Sequence, residues 1–196
     1  MILPLSKRTL TVINPHYGWE SIRTLHHFST LSPEKTKVWL DCDPGLDDTL
    51  AIILAAKHER INLIGVSTSA GNTSLENTTK NGLDILYNIG AKDVAVVKGS
   101  SELIFGKMQL AEHMHGSNGL GGVDLPPSTE KPIDSDNFEY IYNKIMEQKG
   151  KIIWANTGAL TNLCFLFRRY PQIKEKIKEI VIMGGAIGKG NITPAA

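Results

Sequence analysis

Short apolar runs alternate with segments of helical periodicity along most of this chain, and this alternation restricts its fold more than any other feature. The apolar runs, which read as strands, are residues 37–41, 61–68, 93–97, 151–155 and 179–183. The helical segments are residues 48–58, 75–89, 137–148 and 160–170. Strands that alternate with helices form parallel sheets with both faces covered, because each crossover lays a helix against the sheet. The sequence therefore predicts an α/β fold with an open, mostly parallel sheet and helices on both faces.

The first helical segment carries its apolar side chains in a regular pattern. Leu50, Ile53 and Leu54 recur at helical spacing, and Lys57 continues the pattern at its edge. This spacing predicts an apolar stripe on that side of the helix.

The first 36 residues differ from the rest of the chain. They carry basic and histidine side chains, with Glu20 and Glu34 as the acidic residues. Two interpretations fit such a segment, an organellar transit peptide and a variable, partly disordered extension. Residues 37–196 are predicted to form one structural unit, since the alternation of strands and helices runs through all of them.

Composition excludes several classes of function. The chain has 21 basic and 20 acidic residues, so it lacks the basic excess of a nucleic-acid-binding protein. It has no apolar run of the roughly 20 residues that a membrane span requires. Cys42 and Cys164 stand far apart in apolar runs and indicate buried thiols in a reducing compartment. We therefore expect a cytoplasmic protein, unless the first 36 residues direct it to an organelle.

Four carboxylates lie within eight residues where the first strand ends and the first helix begins. They are Asp41, Asp43, Asp47 and Asp48. Such crowding raises pKa values unless a cation offsets the charge, and Ca²⁺ and Mg²⁺ both prefer oxygen ligands. A helix cap would explain Asp47 or Asp48, but it does not explain two acids directly after a buried strand. The cluster therefore indicates a metal or catalytic site.

Residues 41–48 read Asp-x-Asp-Pro-Gly-x-Asp-Asp, which is similar to the N-terminal signature of the inosine–uridine-preferring nucleoside hydrolases. Later segments match that family in the same order, at residues 71–73 (Gly-Asn-Thr), 115–120 (His-Gly-x-x-Gly-Leu), 157–162 (Thr-Gly-Ala-Leu-Thr-Asn), 183–186 (Met-Gly-Gly-Ala) and 190–191 (Gly-Asn). The resemblance covers residues 37–196 and implies hydrolysis of the N-glycosidic bond of purine or pyrimidine ribonucleosides to ribose and free base.

The resemblance also implies a set of metal ligands. Asp43, Asp48 and the backbone carbonyl of Thr157 would bind Ca²⁺, together with a water and the ribose 2′- and 3′-hydroxyls. Asp43 would be the general base that deprotonates the water. Asp41 would support the loop without binding the ion itself. The physical chemistry agrees, since anionic groups near the ribose stabilise an oxocarbenium-like transition state.

Further roles follow from the same resemblance. Asp47 would accept a hydrogen bond from the ribose 2′-hydroxyl, and Asn72 would position the water or the ribose. Met183 and Asn191 would line the ribose pocket, and His115 would lie near the nucleobase. Each residue also has an ordinary explanation, in which His115 is an exposed loop residue, Asn72 a turn residue and Met183 part of the core.

The resemblance predicts that further site residues of the family, including another aspartate ligand of Ca²⁺ and a histidine for the leaving group, would lie beyond Ala196. One alternative is therefore an inactive, truncated fragment. Another is a Mg²⁺-dependent phosphohydrolase of the haloacid dehalogenase type, which also begins with Asp-x-Asp after a strand but expects threonine or valine at Gly45. As for partners, a ribonucleoside substrate is expected, with neither nucleic acid nor membrane, and the family resemblance implies a homodimer or homotetramer.

Overall fold

The computed structural model describes residues 34–190, and the predicted alternation of strands and helices is present there. The strands are β1 Thr36–Cys42, β2 Ile61–Thr68, β3 Val96–Lys98, β4 Ile152–Asn156 and β5 Ile177–Ile182. The helices are α1 Leu46–Lys57, α2 Leu75–Asn88, α3 Glu112–His115, α4 Asn137–Met146 and α5 Thr161–Arg169, with a 3₁₀ helix over Pro171–Lys176. Most of the predicted N-terminal extension, and also Asn191, lie outside the described residues. None of the helices between residues 34 and 190 is long and apolar enough to cross a membrane.

All five strands pair in parallel, in the order β3-β2-β1-β4-β5. The chain builds outward from β1 to β3 on one side and then continues with β4 and β5 on the other side. The strand order therefore reverses between β1 and β4, and ligands of open α/β sheets bind at the carboxyl ends of the strands at such a reversal.

Helices cover both faces of the sheet, which confirms the predicted fold class. On one face Trp39 and Trp154 stack with ring centroids 6.1 Å apart and pack against Ile141 and Ile145 of α4. On the opposite face a second cluster joins the sheet to side chains of α1 and α2, and its members include Leu40, Val66, Ile52, Ile85 and Leu86. Neighbouring residues of β1 thus serve different cores, as the alternation of side chains along a strand requires.

The apolar stripe predicted for α1 is not the side of the helix that is buried. The buried residues of this helix are Asp48, Ile52 and Ala55, whereas Leu50 and Leu54 are 69% and 60% exposed. This helix is apolar on most of its sides, so periodicity could not select the buried face. The face is set by Asp48, which turns inward and accepts a hydrogen bond from the backbone of the preceding loop.

The third strand is shorter than predicted. Residues 93–97 were expected to form it, but the observed strand is Val96–Lys98, and Val94 belongs to a turn in which its N–H donates to the Ala91 carbonyl. After β3, residues 99–131 form a long glycine-rich connection that contains the four-residue helix α3.

Candidate active site

Two loops meet where the strand order reverses. The end of β1 lies in register with the end of β4, so that Asp41 is opposite Asn156. The backbone carbonyl of Asp41 accepts a 2.8 Å hydrogen bond from the N–H of Thr157. The loop that carries Asp43 and the loop that carries Thr157 are therefore fixed to each other by main-chain contacts.

The carboxylates of Asp43 and Asp48 lie at the start of α1 and are almost fully buried, with 9% and 2% exposure. The N–H of Asp43 donates to Asp48 Oδ2 over 2.9 Å. Asn72, which follows β2, binds Asp43 twice. Its N–H donates to Asp43 Oδ2 and its side-chain amide donates to the Asp43 carbonyl, each over 2.8 Å. The structure thus brings together Asp43, Asp48, Asn72 and Thr157 from three separate loops.

Burial makes this pair of carboxylates difficult to ionise. Desolvation, followed by the charge of Asp48, raises the pKa of Asp43 to about 8, and burial also raises the pKa of Asp48. The N–H of Asn72 opposes the rise in the pKa of Asp43 because it stabilises the charged form. The two groups cannot both be ionised near neutral pH at low free-energy cost unless positive charge lies beside them.

Oxygen atoms around this pair fit a hard cation. Ser69 Oγ is a buried side-chain oxygen without a hydrogen-bond partner among residues 34–190. The Thr157 side chain hydrogen-bonds to Asp48, which partly offsets the rise that burial causes in the pKa of that carboxyl group. Ser69 Oγ and Asp43 Oδ1 both lie about 3 Å from the point where a Cβ on Gly158 would be. All of these atoms are oxygens, the donor type that Ca²⁺ and Mg²⁺ prefer.

The carboxylates alone do not complete a metal site. Within the described part of the chain, no group of three or more His, Cys, Asp or Glu side chains is arranged to hold a metal ion. Ca²⁺ takes six to eight oxygens, which include carbonyls and waters. Asp43 and Asp48 could therefore hold such an ion only together with further oxygen ligands.

Asp41 faces the sheet rather than its carboxylate neighbours. Its Oδ1 accepts hydrogen bonds from Ser67 Oγ, over 2.5 Å, and from Asn162 Nδ2, over 2.8 Å. Full burial raises its pKa to about 7. These contacts agree with the predicted role of a loop support. No local pattern in the sequence indicates that Ser67 or Asn162 binds Asp41.

Asp47 and His115 lie at the rim of the site. The side chain of Asp47 is 56% exposed, and its Oδ1 is 3.9 Å from Nδ1 of His115. The same Nδ1 accepts a 3.3 Å hydrogen bond from the N–H of Leu46. At 3.9 Å, the contact between His115 and Asp47 is longer than a hydrogen bond. His115 is thus a bound residue of the site rim, and the ordinary explanation of an exposed loop histidine is wrong.

The ordinary explanation of Met183 also fails. Met183 follows β5, donates its N–H to the Asn156 carbonyl and is 57% exposed, so it does not belong to the core. Thr157 directly follows β4. Both residues lie at the carboxyl edge of the sheet, on the loops after β4 and β5.

Gly71 leaves the space that the Asp43 carboxylate occupies. A Cβ at this position would lie 2.1 Å from Asp43 Oδ2. We expect Gly71→Ala to displace the carboxylate and to lower the free energy of unfolding by about 1–3 kcal/mol. It should also abolish stabilisation by added Ca²⁺. Denaturant unfolding with and without Ca²⁺ measures both effects.

Gly82 provides the matched control, because it lies inside α2 and a Cβ there would have its nearest neighbours at 3.6 Å. Gly82→Ala should raise the free energy of unfolding by roughly 0.5–1 kcal/mol, since alanine favours helix. A Gly71→Ala protein as stable as its parent, with an intact response to Ca²⁺, would contradict the geometry described here.

Known proteins resemble this chain over the same residues. The sequence model of the inosine-uridine preferring nucleoside hydrolases matches residues 38–196. A pyrimidine-specific ribonucleoside hydrolase, RihB of Escherichia coli O1:K1, is 40% identical over 163 residues, which are 83% of this chain and 52% of that protein. The chain therefore spans about half the length of the curated relatives that it matches.

Solved structures give the same result. A purine-preferring ribonucleoside hydrolase from Gardnerella vaginalis superimposes with a TM-score of 0.74 at 33% identity, over 81% of this chain and 52% of that one. A plant nucleoside hydrolase, the PpNRh1 enzyme, gives a TM-score of 0.75 at 35% identity, over 82% and 52%. These matches exclude the alternative of a haloacid-dehalogenase-type phosphohydrolase. The chain belongs to the inosine-uridine preferring nucleoside hydrolase family.

Proposed function

We propose that this protein hydrolyses the N-glycosidic bond of ribonucleosides in a Ca²⁺-dependent reaction that yields ribose and the free base. One observation carries the proposal most directly. Asp43 and Asp48 are buried side by side where the strand order reverses, and Asn72 holds Asp43 in place. The relatives named above are ribonucleoside hydrolases with purine and with pyrimidine preferences, so the proposal covers ribonucleosides as a class.

Asp43, Asp48 and the carbonyl of Thr157 are the groups that would hold the ion. When bound, Ca²⁺ would offset the negative charge of the carboxylates and make a neighbouring water and the ribose hydroxyls more acidic. The unpaired Ser69 Oγ, which lies near Asp43 Oδ1 beside Gly158, supports a polar occupant at this place, since buried polar atoms ordinarily have partners.

Asp43 is the residue that we assign as general base. Its Oδ2 is held by the N–H of Asn72, whereas its Oδ1 lies on the side of Gly158 and is the oxygen that would receive a proton from water. A general base works best when its pKa is near the working pH. Burial raises the pKa of Asp43, and nearby positive charge would bring it down again.

The rim residues would bind the substrate. Asp47 is exposed at the start of α1, where its carboxylate could accept a hydrogen bond from a ribose hydroxyl and stabilise positive charge on the sugar ring. His115 closes the same edge and would lie near the base. Met183, on the loop after β5, would contact the ribose from the other side, and the family resemblance assigns Asn191 to the same pocket.

Ribose release from inosine and from uridine, with Ca²⁺ and again with a chelator, tests the proposal. We expect release with Ca²⁺ and its loss, by at least about a hundredfold, when the chelator removes the ion. Release that persists in the chelator would contradict the role of the cation. Absence of release from both nucleosides would contradict turnover by this chain and favour the alternative of an inactive protein.

A further inference from the structure

We propose that Asn81 of α2 is a positioning residue that fixes the His115-bearing loop against the Asp43-bearing turn, an inference that rests on the proposed function. The loop is defined here as residues 115–123, and the turn as residues 43–47. Neither Asn81 nor its partners belong to the carboxylate cluster. They nevertheless set where the two halves of the site rim lie relative to each other.

Asn81 is buried, and its side-chain amide joins the two segments directly. Nδ2 donates to the carbonyl of Pro44, over 3.1 Å, and to the carbonyl of Asn118, over 2.8 Å. An amide group has two N–H donors, and both are used here. Pro44 directly follows Asp43, and Asn118 is three residues after His115. One side chain therefore links the carboxylate turn to the loop.

Neighbouring residues before and within α2 strengthen the attachment. Thr73 Oγ1 and Asn77 Nδ2 both donate to the carbonyl of Ser117, over 2.8 and 3.0 Å. Beyond this anchor the loop holds itself together, because Asn118 Oδ1 accepts from the N–H groups of Leu120 and Gly122. The loop is thus a preformed turn that is bound through the carbonyls of residues 117 and 118.

Gly119 allows the backbone of the loop to lie close to Asn81. It has a φ of +80°, and a Cβ there would lie 2.9 Å from both Asn81 Nδ2 and Thr73 Cγ2 and 3.3 Å from the Pro44 carbonyl. Only glycine fits this conformation and this space without strain. The loop backbone therefore rests directly on Asn81, with no intervening side chain.

The position of His115 follows from this attachment. The carbonyl of His115 accepts from the N–H of Gly121, over 2.7 Å, so the histidine moves with the fastened turn. Its ring reaches the N–H of Leu46 over a longer 3.3 Å contact. The shorter bonds at residues 117 and 118 are the stronger restraint on the loop, and the histidine contact follows from them.

Hydrogen exchange of the full chain tests the attachment without reference to activity. Asn81→Ala should make the amides of residues 119–122 exchange at least about tenfold faster, the effect of losing roughly 1.4 kcal/mol of local stability. Gly119→Ala should accelerate the same amides by disturbing the contact from the loop side. If Asn81→Ala fails to fold, Gly119→Ala tests the attachment in its place.

Asn88 offers a matched control. It lies at the end of α2 and donates its side-chain amide to the Asp84 carbonyl and to the Pro126 carbonyl, farther along the same glycine-rich connection. Asn88→Ala also removes two side-chain hydrogen bonds, at an exposed position away from the site. We expect it to leave exchange at residues 119–122 within twofold of the parent.

A second measurement distinguishes positioning from general structural support. A variant that only lowers the folded fraction reduces kcat/KM for inosine and for uridine equally, so their ratio is unchanged. If Asn81→Ala displaces the loop, the ratio of kcat/KM for inosine to kcat/KM for uridine should change by at least about threefold. The reason is that the bases of the two nucleosides differ in size while the ribose is the same. Asn88→Ala should leave this ratio unchanged.

The outcomes are distinct. Unchanged exchange at residues 119–122, or equal acceleration along the whole chain, overturns the attachment. Local acceleration with an unchanged ratio of kcat/KM overturns the positioning role. If neither nucleoside is cleaved even by the parent chain, the proposed function fails, whereas the exchange result still decides whether Asn81 holds the loop.

Discussion

Replacement of Asp43 by asparagine should abolish ribose release, by about a thousandfold or more, and should also make the cation-free protein more stable at pH 8.5. The loss of activity follows because asparagine cannot accept the proton of the attacking water and is a weaker cation ligand. The gain in stability follows because the substitution removes one of two buried like charges. The amide oxygen can still accept the N–H of Asn72, so the loop should be retained.

Opposite effects on activity and on stability distinguish a functional carboxylate from a structural one. Asp84 is the matched comparison, because it is also buried but is bound to Lys80 over 2.7 Å and accepts the N–H of Ser128 over 2.7 Å. Asp84→Asn should lower the free energy of unfolding and leave kcat within twofold. Denaturant unfolding with a chelator measures the free energy of unfolding, and a ribose assay with Ca²⁺ measures kcat. An Asp43→Asn protein with more than a tenth of the parent activity would exclude Asp43 as the base.

The cation-free chain should lose stability as the pH rises, on the order of a few kcal/mol between pH 5 and pH 8.5. The carboxyl groups of Asp41 and Asp43 have pKa values of about 7 and 8 in the folded protein, compared with 3.8 for an ordinary aspartate. A folded-state pKa above the unfolded one means that the native state holds protons that the unfolded chain has released. The stabilisation is complete below pH 4 and is lost as the pH rises through 7 and 8.

Added Ca²⁺ should reverse this loss. An ion that binds the folded state alone stabilises it by about 2.7 kcal/mol at a hundred times its dissociation constant, and its affinity should be higher at pH 8.5 because its ligands are then ionised. The Asp43→Asn variant should show a flatter pH profile and a weaker response to Ca²⁺. Unfolding free energies at pH 5 and pH 8.5, each with Ca²⁺ or a chelator, test this. If the unfolding free energy of the parent without cation did not change with pH, the carboxyl groups of Asp41 and Asp43 could not be buried as described here.

The sequence was sufficient to predict the fold, and it also selected residues that the structure brings together at one edge of the sheet. Alternating periodicities predict a parallel sheet, and residues at the carboxyl ends of its strands must converge at one edge. Asp41 and Asp43 were recognisable because acids directly after an apolar strand need an explanation, whereas Asp48 alone could have been a helix cap. Asn72 and Thr157 were found through the family resemblance, and the structure places Asn72 against Asp43 and Thr157 against Asp48.

Contacts between distant segments could not be predicted in the same way. Ser67 and Asn162 bind Asp41, and Asn81 binds Pro44, but no local pattern indicates these partners. Each partner is a single polar residue within a strand or helix, and its role depends on which elements lie side by side. The buried face of α1 could not be predicted for a related reason. Several sides of this helix are apolar, and tertiary contacts determine which of them is buried.

The adjacency of β1 and β4 has a consequence for the order in which the site assembles. Asp43 and Asp48 are five residues apart in the chain, and Asn72 is 29 residues beyond Asp43. The contact of Asp41 with Asn162, by contrast, spans 121 residues. Contacts of such separation form slowly during folding because a long loop must close first. The two carboxylates therefore come together early, whereas the loop after β4 joins them only when that strand docks. Under the proposed function, tight Ca²⁺ binding would then mark the docking of β4 against β1.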